Sequence, residues 1–320
     1  MIASADRPAS GPNGPRGRRL VFAAAALGAA AMIAACGSSG SSSSAAASAS
    51  ASSSAASSGA ASTAAASSAS PSASFHLVHP GTLTVAVNAT PPDFVISPSG
   101  SVSGIVMSIL HTFAAAHHLK VATQIYSFSG ALTAVESGRA DVTGAFYYTP
   151  TRAKAVRYAR PYAVDGSYIA VQRSTPYTGP ASMKGKSVGV AAGYAQVPYL
   201  QQYLGDSHVV QFASDPSGIE ALKTGRVAGY VSANDLLYYA RQDPSLKVIQ
   251  LTAGTFDQPA SVTDQTDNIF ASCHNQALAD AISATIEQMW KSGALKALLA
   301  KYGEAATFPP NETQPNLCGQ

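Results

Sequence analysis

Two stretches of this chain, residues 82–144 and 187–227, carry the same alternation of strand and helix signals, and that repeat limits the fold more than any other feature. In the first, Thr82 to Val87 reads as a strand and is followed by the breaker Pro91-Pro92. Ile105, Ile109 and Phe113 then recur at helical spacing, with Met107 and Leu110 widening the apolar face. Val121 to Tyr126 is a second strand, and Ala131 to Glu136 a helix that stops at Ser137-Gly138. Strand character resumes at Ala140 and runs to Gly144. Strands separated by helices favour a parallel sheet, because parallel neighbours need a crossover connection. In the second stretch Ser187 to Ala191 is a strand, a helix is expected after Gly193, and Val209 to Phe212 is another strand. Residues Ser217 to Val227 then echo Ser129 to Ala140: a short helix, a Gly that ends it, an Arg, and a new strand. Two such α/β units predict two lobes with a cleft between them. Beyond them, Leu278, Ile282, Ile286 and Met289 share one helical face. Trp290, Leu295, Leu298 and Leu299 pack a last helix before Gly303.

The residues ahead of this body are of a different kind. Arg16, Arg18 and Arg19 precede an Ala-rich apolar run, Leu20 to Ala35, which is too short for a membrane span and reads as a cleaved export signal. It ends in Ile33-Ala34-Ala35-Cys36, which resembles a bacterial lipobox and so implies cleavage before Cys36 and lipidation of its thiol. Residues 37–74 are almost entirely Ser, Ala and Gly; without large apolar side chains they can bury no core, and a flexible tether is expected. About 246 residues remain from Phe75 onward, enough for one large or two ordinary domains. Residues 1–35 hold four Arg and one Asp, so the whole formal charge of +3 belongs to the leader. The remainder has 16 basic and 16 acidic residues and no Lys/Arg cluster interleaved with aromatics, which argues against a nucleic-acid partner.

Two further cysteines, Cys273 and Cys318, form an even pair in a chain expected to be exported, and a disulfide is expected between them. A metal site is disfavoured: His274 adjoins Cys273, but no second Cys or His stands at ligand spacing. No cofactor is implied.

The order of motifs resembles the extracellular solute-binding proteins of polar amino-acid ABC importers. The resemblance runs from about Pro80 to Gly303. It rests on Gly81 to Val87, the turn Pro92-x-Phe94, Phe128 to Leu132, Ser137 to Val142, Thr149 to Lys154, Pro161-Tyr162, Met183 to Val190, Gly193 and Lys223 to Val227. It implies a two-lobed α/β fold of the type II periplasmic-binding-protein kind, with ligand in the cleft and hinge closure about two crossing strands. Those crossings are expected near Tyr168–Val171 and Asn268–Ala271. The division is then residues 75–170 with 270–320 as lobe 1 and 171–269 as lobe 2. The implied function is capture of a small carboxylate-bearing solute for ABC permease subunits, by a monomer anchored to the outer face of the cell membrane through Cys36.

Arg152 is the leading site residue. Thr149 suits a helix N-cap and Pro150 the first helical position, which puts a cation in an opening turn where the helix dipole opposes it. Such a violation suits function, since Arg grips a carboxylate with two parallel hydrogen bonds, and the resemblance gives this position the ligand's α-carboxylate. By the same resemblance Phe128 stacks on the ligand, Tyr147 replaces a ligand-bonding Thr, and Phe94 stands between core and cleft. The Gly193 turn offers backbone N–H groups to an anion at a helix start, with Tyr194 in place of the usual Ser or Thr. The acidic residue that pairs with an α-ammonium group in relatives aligns with Ala233, flanked by Ser232, Asn234 and Asp235. Asp235 substitutes after a small shift or serves as a helix N-cap. The carboxylate anchor is thus expected to be kept and the ammonium anchor weakened, leaving an amino acid or a related organic acid as the ligand.

Catalytic patterns are scarce. No zincin, Gly-x-Ser-x-Gly or Walker pattern occurs, and Asp264, Asp267 and Asn268 lack the remaining ligands of a calcium loop. An enzyme on the same scaffold, such as a cyclohexadienyl-dehydratase-like lyase, would need a general acid or base among Asp93, Asp235 and Glu136. A surface sensor without a transport role is the other alternative.

Overall fold

The computed structural model describes residues 75–305 and 315–320. The expected leader, Cys36 and the Ser/Ala tether lie outside those residues. The first strand, β1 (Thr82–Val87), is buried along almost its whole length, as a strand covered on both faces must be. A short hairpin of two two-residue strands, β2 (Val95–Ile96) and β3 (Val102–Ser103), leads into α1 (Ile105–Ala116). Gly104 precedes α1 at φ 125°, and a Cβ there would lie 2.2 Å from the Asp93 carbonyl oxygen, so only glycine fits. Then follow β4 (Lys120–Ile125), an exposed edge strand, and α2 (Phe128–Glu136), whose N-cap Ser127 accepts from the Gly130 N–H. Next is β5 (Val142–Phe146), which starts two residues later than expected. Asp141 instead uses its carboxylate to accept the N–H groups of Thr84 and Val78, each at 2.7 Å.

After α3 (Pro150–Ala153) and β6 (Val156–Tyr158) comes the ten-residue strand β7 (Ala163–Gln172). The second α/β unit is β8 (Val188–Ala191), α4 (Val197–Leu204), β9 (Val209–Phe212), α5 (Asp215–Lys223), β10 (Gly229–Ser232), α6 (Asp235–Gln242) and β11 (Leu246–Leu251). The chain closes with α7 (Ala260–Thr263), β12 (Asp264–Ser272), α8 (Gln276–Lys291) and α9 (Ala294–Tyr302).

Strand order along the sheet is β4-β1-β5-β12-β7-β10-β8-β9, with β6 on β12 and β11 on β7. One set holds β1 parallel to β4 and β5; the other holds β8 parallel to β9 and β10. Among the described residues the sets are joined in the sheet only where β7 and β12 run antiparallel, with Asp264 opposite Gly166 and Asp267 opposite Ala163. The crossing therefore falls four to five residues before the positions expected from sequence. Residues 167–172 are already taken up by β11 and β10, and 268–272 by β5 and β6.

One apolar core lies under the first set, where Ile109 and Phe113 of α1 meet Ile282 and Ile286 of α8 and Leu299 of α9, so the C-terminal helices pack on the N-terminal strands. A second core, containing Phe128, Phe146, Val188 and Val190, takes side chains from both sets, and a third, around Tyr230 and Leu222, belongs to the second set. Cys273 and Cys318 are disulfide-bonded, with Cα atoms 5.6 Å apart, which ties the C-terminal residues to the end of β12.

Candidate functional site

Where the two strand sets meet, a small cavity of about 30 Å³ is lined from both sides. Tyr147 and Arg152 reach it from the segment after β5, Tyr194 from the turn after β8, and Asp235 from the start of α6. Asp165 and Asp267 enter from the crossing strands and Asp93 from the turn after β1. The register of β5 against β12 shifts between Asn268 and Ile269, and opposite this irregularity Ala145, another lining residue, sits at φ 64°. Such a bulge re-aims the side chains that follow it, here Phe146 and Tyr147.

Arg152 is 8 % exposed. Thr149 caps its short helix as the sequence predicts, accepting the Arg152 N–H at 3.2 Å, and Pro150 follows the cap. The guanidinium donates through Nη1 to the Tyr147 carbonyl at 2.8 Å and through Nη2 to the Gly193 carbonyl at 2.7 Å. Its carbon lies 5.2 Å from the ring centre of Phe146 and 5.6 Å from that of Phe128, which is within cation–π range. Burial lowers its pKa and the nearby Tyr158 opposes that; an arginine nonetheless stays protonated. Two of its five N–H groups are committed to carbonyls, one on each strand set, and the Tyr158 hydroxyl also lies against the guanidinium, which leaves part of the donor set for a ligand.

Acidic groups outnumber this cation. Asp93, Asp165, Asp235 and Asp267 line the same cavity, all buried. Asp165 Oδ1 accepts the N–H groups of Gly166 and Asn234, and its Oδ2 has no hydrogen-bond partner. Asp235 Oδ1 accepts the Ala233 N–H, and its Oδ2 is likewise unpartnered. Asp93 accepts from the Tyr162 hydroxyl at 2.7 Å. Burial raises the pKa of all four; repulsion adds to it, chiefly from Asp215 for Asp235, from Glu304 and then Asp165 for Asp93, and from Asp165 and then Asp93 for Asp267. Asp165 is pushed up to about 6, its backbone hydrogen bonds resisting the rise. Among the described residues no group of three His, Cys, Asp or Glu side chains could hold a metal ion. The arrangement offers an anion grip at one place and cation acceptors around it.

Residues 83–305 match the bacterial extracellular solute-binding proteins, family 3. The chain belongs to this family. The L-cystine-binding protein TcyJ of Escherichia coli K12 is 25 % identical over 230 residues, covering 69 % of this chain and 82 % of that protein. Among solved structures, an ancestral arginine-binding protein bound to arginine is 27 % identical with a TM-score of 0.62, over 70 % of this chain and 98 % of that one. A mutant of ArgBP from T. maritima is 21 % identical with the same TM-score, over 69 % and 95 %. The fold is thus the mixed α/β periplasmic-binding-protein fold, and the family is one of solute binders rather than enzymes.

Within this family-3 fold the expected site residues divide. Phe128 lines the cavity, stacked on Phe146 at 4.0 Å and edge-on to Tyr194 at 4.3 Å. Tyr147 lines it too, but its hydroxyl donates to the Gly166 carbonyl across the crossing strand. Phe94 does not line the cavity. It is fully buried in the core under the first strand set, because its N–H closes a turn onto the Thr90 carbonyl that presents the neighbouring Asp93 to the cavity instead. The Gly193 expectation is also corrected. α4 begins at Val197, four residues on, so no helix start stands at Gly193, and the group it turns toward Arg152 is its carbonyl.

Tyr194 is at the cavity wall, yet its hydroxyl is engaged by Asp215, which also accepts from Tyr230 and Ser232. Ser232 is therefore held in a buried network behind the wall and is not among the lining residues. Asp235 is the first residue of α6 rather than its cap, which is Asn234. The acids at 93, 165 and 267 were not assigned to ligand contact from sequence. Their signal was there: an Asp inside an otherwise apolar strand pattern, as in Ala163-Val164-Asp165-Gly166, is a charge that the fold must bury or use.

Proposed function

We propose that this chain is the extracellular binding component of an ABC importer and that it captures an amino acid between two lobes that meet where β7 pairs with β12. In this reading Arg152 holds the α-carboxylate with its uncommitted N–H groups, and the unpartnered oxygen of Asp235 accepts the α-ammonium group. The observation that carries it is the position of Arg152, a buried guanidinium with hydrogen bonds to carbonyls of both strand sets at the wall of a shared cavity. A ligand held there touches both sides at once, so binding favours the closed arrangement by whatever affinity it gains from the second side. Phe128 supplies a flat apolar wall for the carbon skeleton. The amino-acid class is supported by relatives described as binding cystine or arginine; the permease partner follows from the family's role.

The chain is further proposed to be a lipoprotein. The signal-like run before Cys36 and the Ser/Ala/Gly residues to 74 would leave the folded body tethered at the outer face of the membrane. Isothermal calorimetry on residues 75–320, with the twenty common L-amino acids and a panel of dicarboxylates, tests the main reading. Saturable one-to-one binding of an amino acid supports it. Binding confined to dicarboxylates, or turnover of any ligand, defeats it.

A further inference from the structure

The amino-acid reading uses one cation and one acid of the cavity and leaves three acids without a task. Asp165 and Asp267 stand on the two crossing strands, in the short stretch where β7 and β12 pair, and Asp93 faces them from the turn after β1. All three are at least nine-tenths buried. The Oδ2 atom of Asp165, buried and without a partner, is the decisive one. A lone pair of a carboxylate shut away from water and left unpaired is costly, and native structures keep such groups where something else satisfies them.

We infer that Asp93, Asp165 and Asp267 form a second cation subsite, so that the solute is an amino acid whose side chain ends in a positive charge, such as a guanidinium or an ammonium group. This rests on the binding reading above and extends it from amino acids in general to the cationic ones. The electrostatic balance of the cavity supports it. The lining carries four carboxyl groups, all pushed toward their protonated forms by burial in the ligand-free protein, against one guanidinium, and each one that ionises adds to a negative excess. A neutral amino acid brings one positive and one negative charge and leaves that imbalance as it was. A cationic amino acid adds one net positive charge and places it beside the excess.

The surroundings fit the same chemistry. Glu304, after α9, sits close behind: its Oε2 accepts from the Asn234 side chain at 2.6 Å, and Asn234 in turn donates its backbone N–H to Asp165. Asp165 raises the pKa of Glu304, after burial, and that of Asp267, after burial. Arg241 is 4.0 Å from Glu304 but does not line the cavity. The Tyr162 hydroxyl is bound to Asp93 and the Tyr147 hydroxyl to the Gly166 carbonyl, so within the cavity Asp165 is left with the neighbouring Tyr147 hydroxyl and the Asp267 carboxyl, and no cation among the described residues, beside it. The position also has a mechanical meaning. A cation held by one acid from each crossing strand would bind the strands to each other as well as to the ligand.

The test compares pairs of solutes that match in shape and differ in charge: L-arginine against L-citrulline and L-lysine against L-glutamine, by calorimetry on residues 75–320 at pH 7.5. A buried charge pair supports a preference of about 30-fold or more for the cationic member. Asp165→Asn keeps the Oδ1 acceptor for Gly166 and Asn234, and it should reduce the arginine-to-citrulline preference to about 3-fold or less. Asp267→Asn is the second variant, and a thermal melt of each confirms folding. Equal binding of charged and neutral members by the unaltered protein overturns the subsite while leaving the amino-acid reading in place. So does a preference that survives both variants. Binding of none of the four overturns the subsite, and if none of the twenty common L-amino acids binds either, the amino-acid reading falls with it. Agmatine, which is arginine without its carboxylate, separates the anchors: if it binds as tightly as arginine, the second subsite stands and the role of Arg152 falls.

Discussion

Replacing Arg152 with Met removes the guanidinium while keeping most of the stem against Phe128 and Phe146. The structure sets the scale of the result. Two charge-assisted hydrogen bonds disappear, each worth about 1.5–3 kcal/mol, but the two acceptors fare differently. The Tyr147 carbonyl keeps the Tyr158 hydroxyl at 3.0 Å, whereas the Gly193 carbonyl loses its side-chain partner. The variant also removes a buried cation, and with it the desolvation cost of burying it. The net loss of stability should fall at the low end, about 2 kcal/mol, and for a body of this size that is a drop of roughly 4–8 °C in Tm. Ligand affinity should fall much further. Truncating one member of a buried, hydrogen-bonded charge pair costs about 2–5 kcal/mol, or roughly 30- to 4,000-fold in Kd. Calorimetry with L-arginine as probe, paired with a thermal melt in its absence, separates the two effects. Unchanged Kd in a folded Met variant refutes the carboxylate assignment; a Tm loss above about 15 °C would show that Arg152 is mainly a structural bridge.

Three other outcomes follow from the same structure. Reducing the Cys273–Cys318 bond, or replacing both residues with Ser, releases a loop with a sequence separation of 45 residues and should lower stability by about 4 kcal/mol in the chain-entropy account, read as a lower urea midpoint with little change in ligand affinity. The buried acids bind protons more tightly in the folded, ligand-free protein than in the unfolded chain, with Asp165 at about 6 and Glu304 at about 7. Their stabilising effect is therefore complete below about pH 4 and lost as the pH rises through 6 to 7, so the ligand-free Tm should fall between pH 5 and 7.5 and a cationic ligand should flatten that slope. Gly104→Ala drives a Cβ into the Asp93 carbonyl at a φ that L residues avoid; a loss of about 2–4 kcal/mol is expected, with weakened binding because Asp93 lies in the cavity wall.

The architecture was legible because periodicity and breakers act locally. Thr82–Val87 forms the strand its sequence spells, and Thr149-Pro150 starts the helix turn that its capping chemistry requires. The disulfide could be read from parity and compartment. The site was legible only in part. Arg152, Phe128 and Tyr147 were found through motifs in fixed order, but side-chain direction in an irregular turn depends on contacts from distant segments. That is why Phe94, left between core and cleft by its sequence, goes to the core while the adjacent Asp93 faces the cavity. The acids on the crossing strands escaped because their meeting is a matter of register: Asp165 and Asp267 become neighbours only once β7 and β12 are paired, and nothing within either segment encodes the other. The fourth acid, Asp235, was seen but read against an N-cap role, whereas the cap position belongs to Asn234.

Among the described residues, a ten-stranded sheet whose halves share strand-to-strand hydrogen bonds through one short antiparallel pair has an uneven stiffness. Each half resists bending because its ladders are wide, while twist between the halves can be taken up in a ribbon two strands across without breaking any ladder. Elastic compliance is concentrated where two carboxyl groups are confined together, with burial and the neighbouring Asp165 holding Asp267 toward its protonated form. Driving both to the ionised form should therefore alter how readily the halves swing, and solution scattering across a pH series would read it as a change in the radius of gyration.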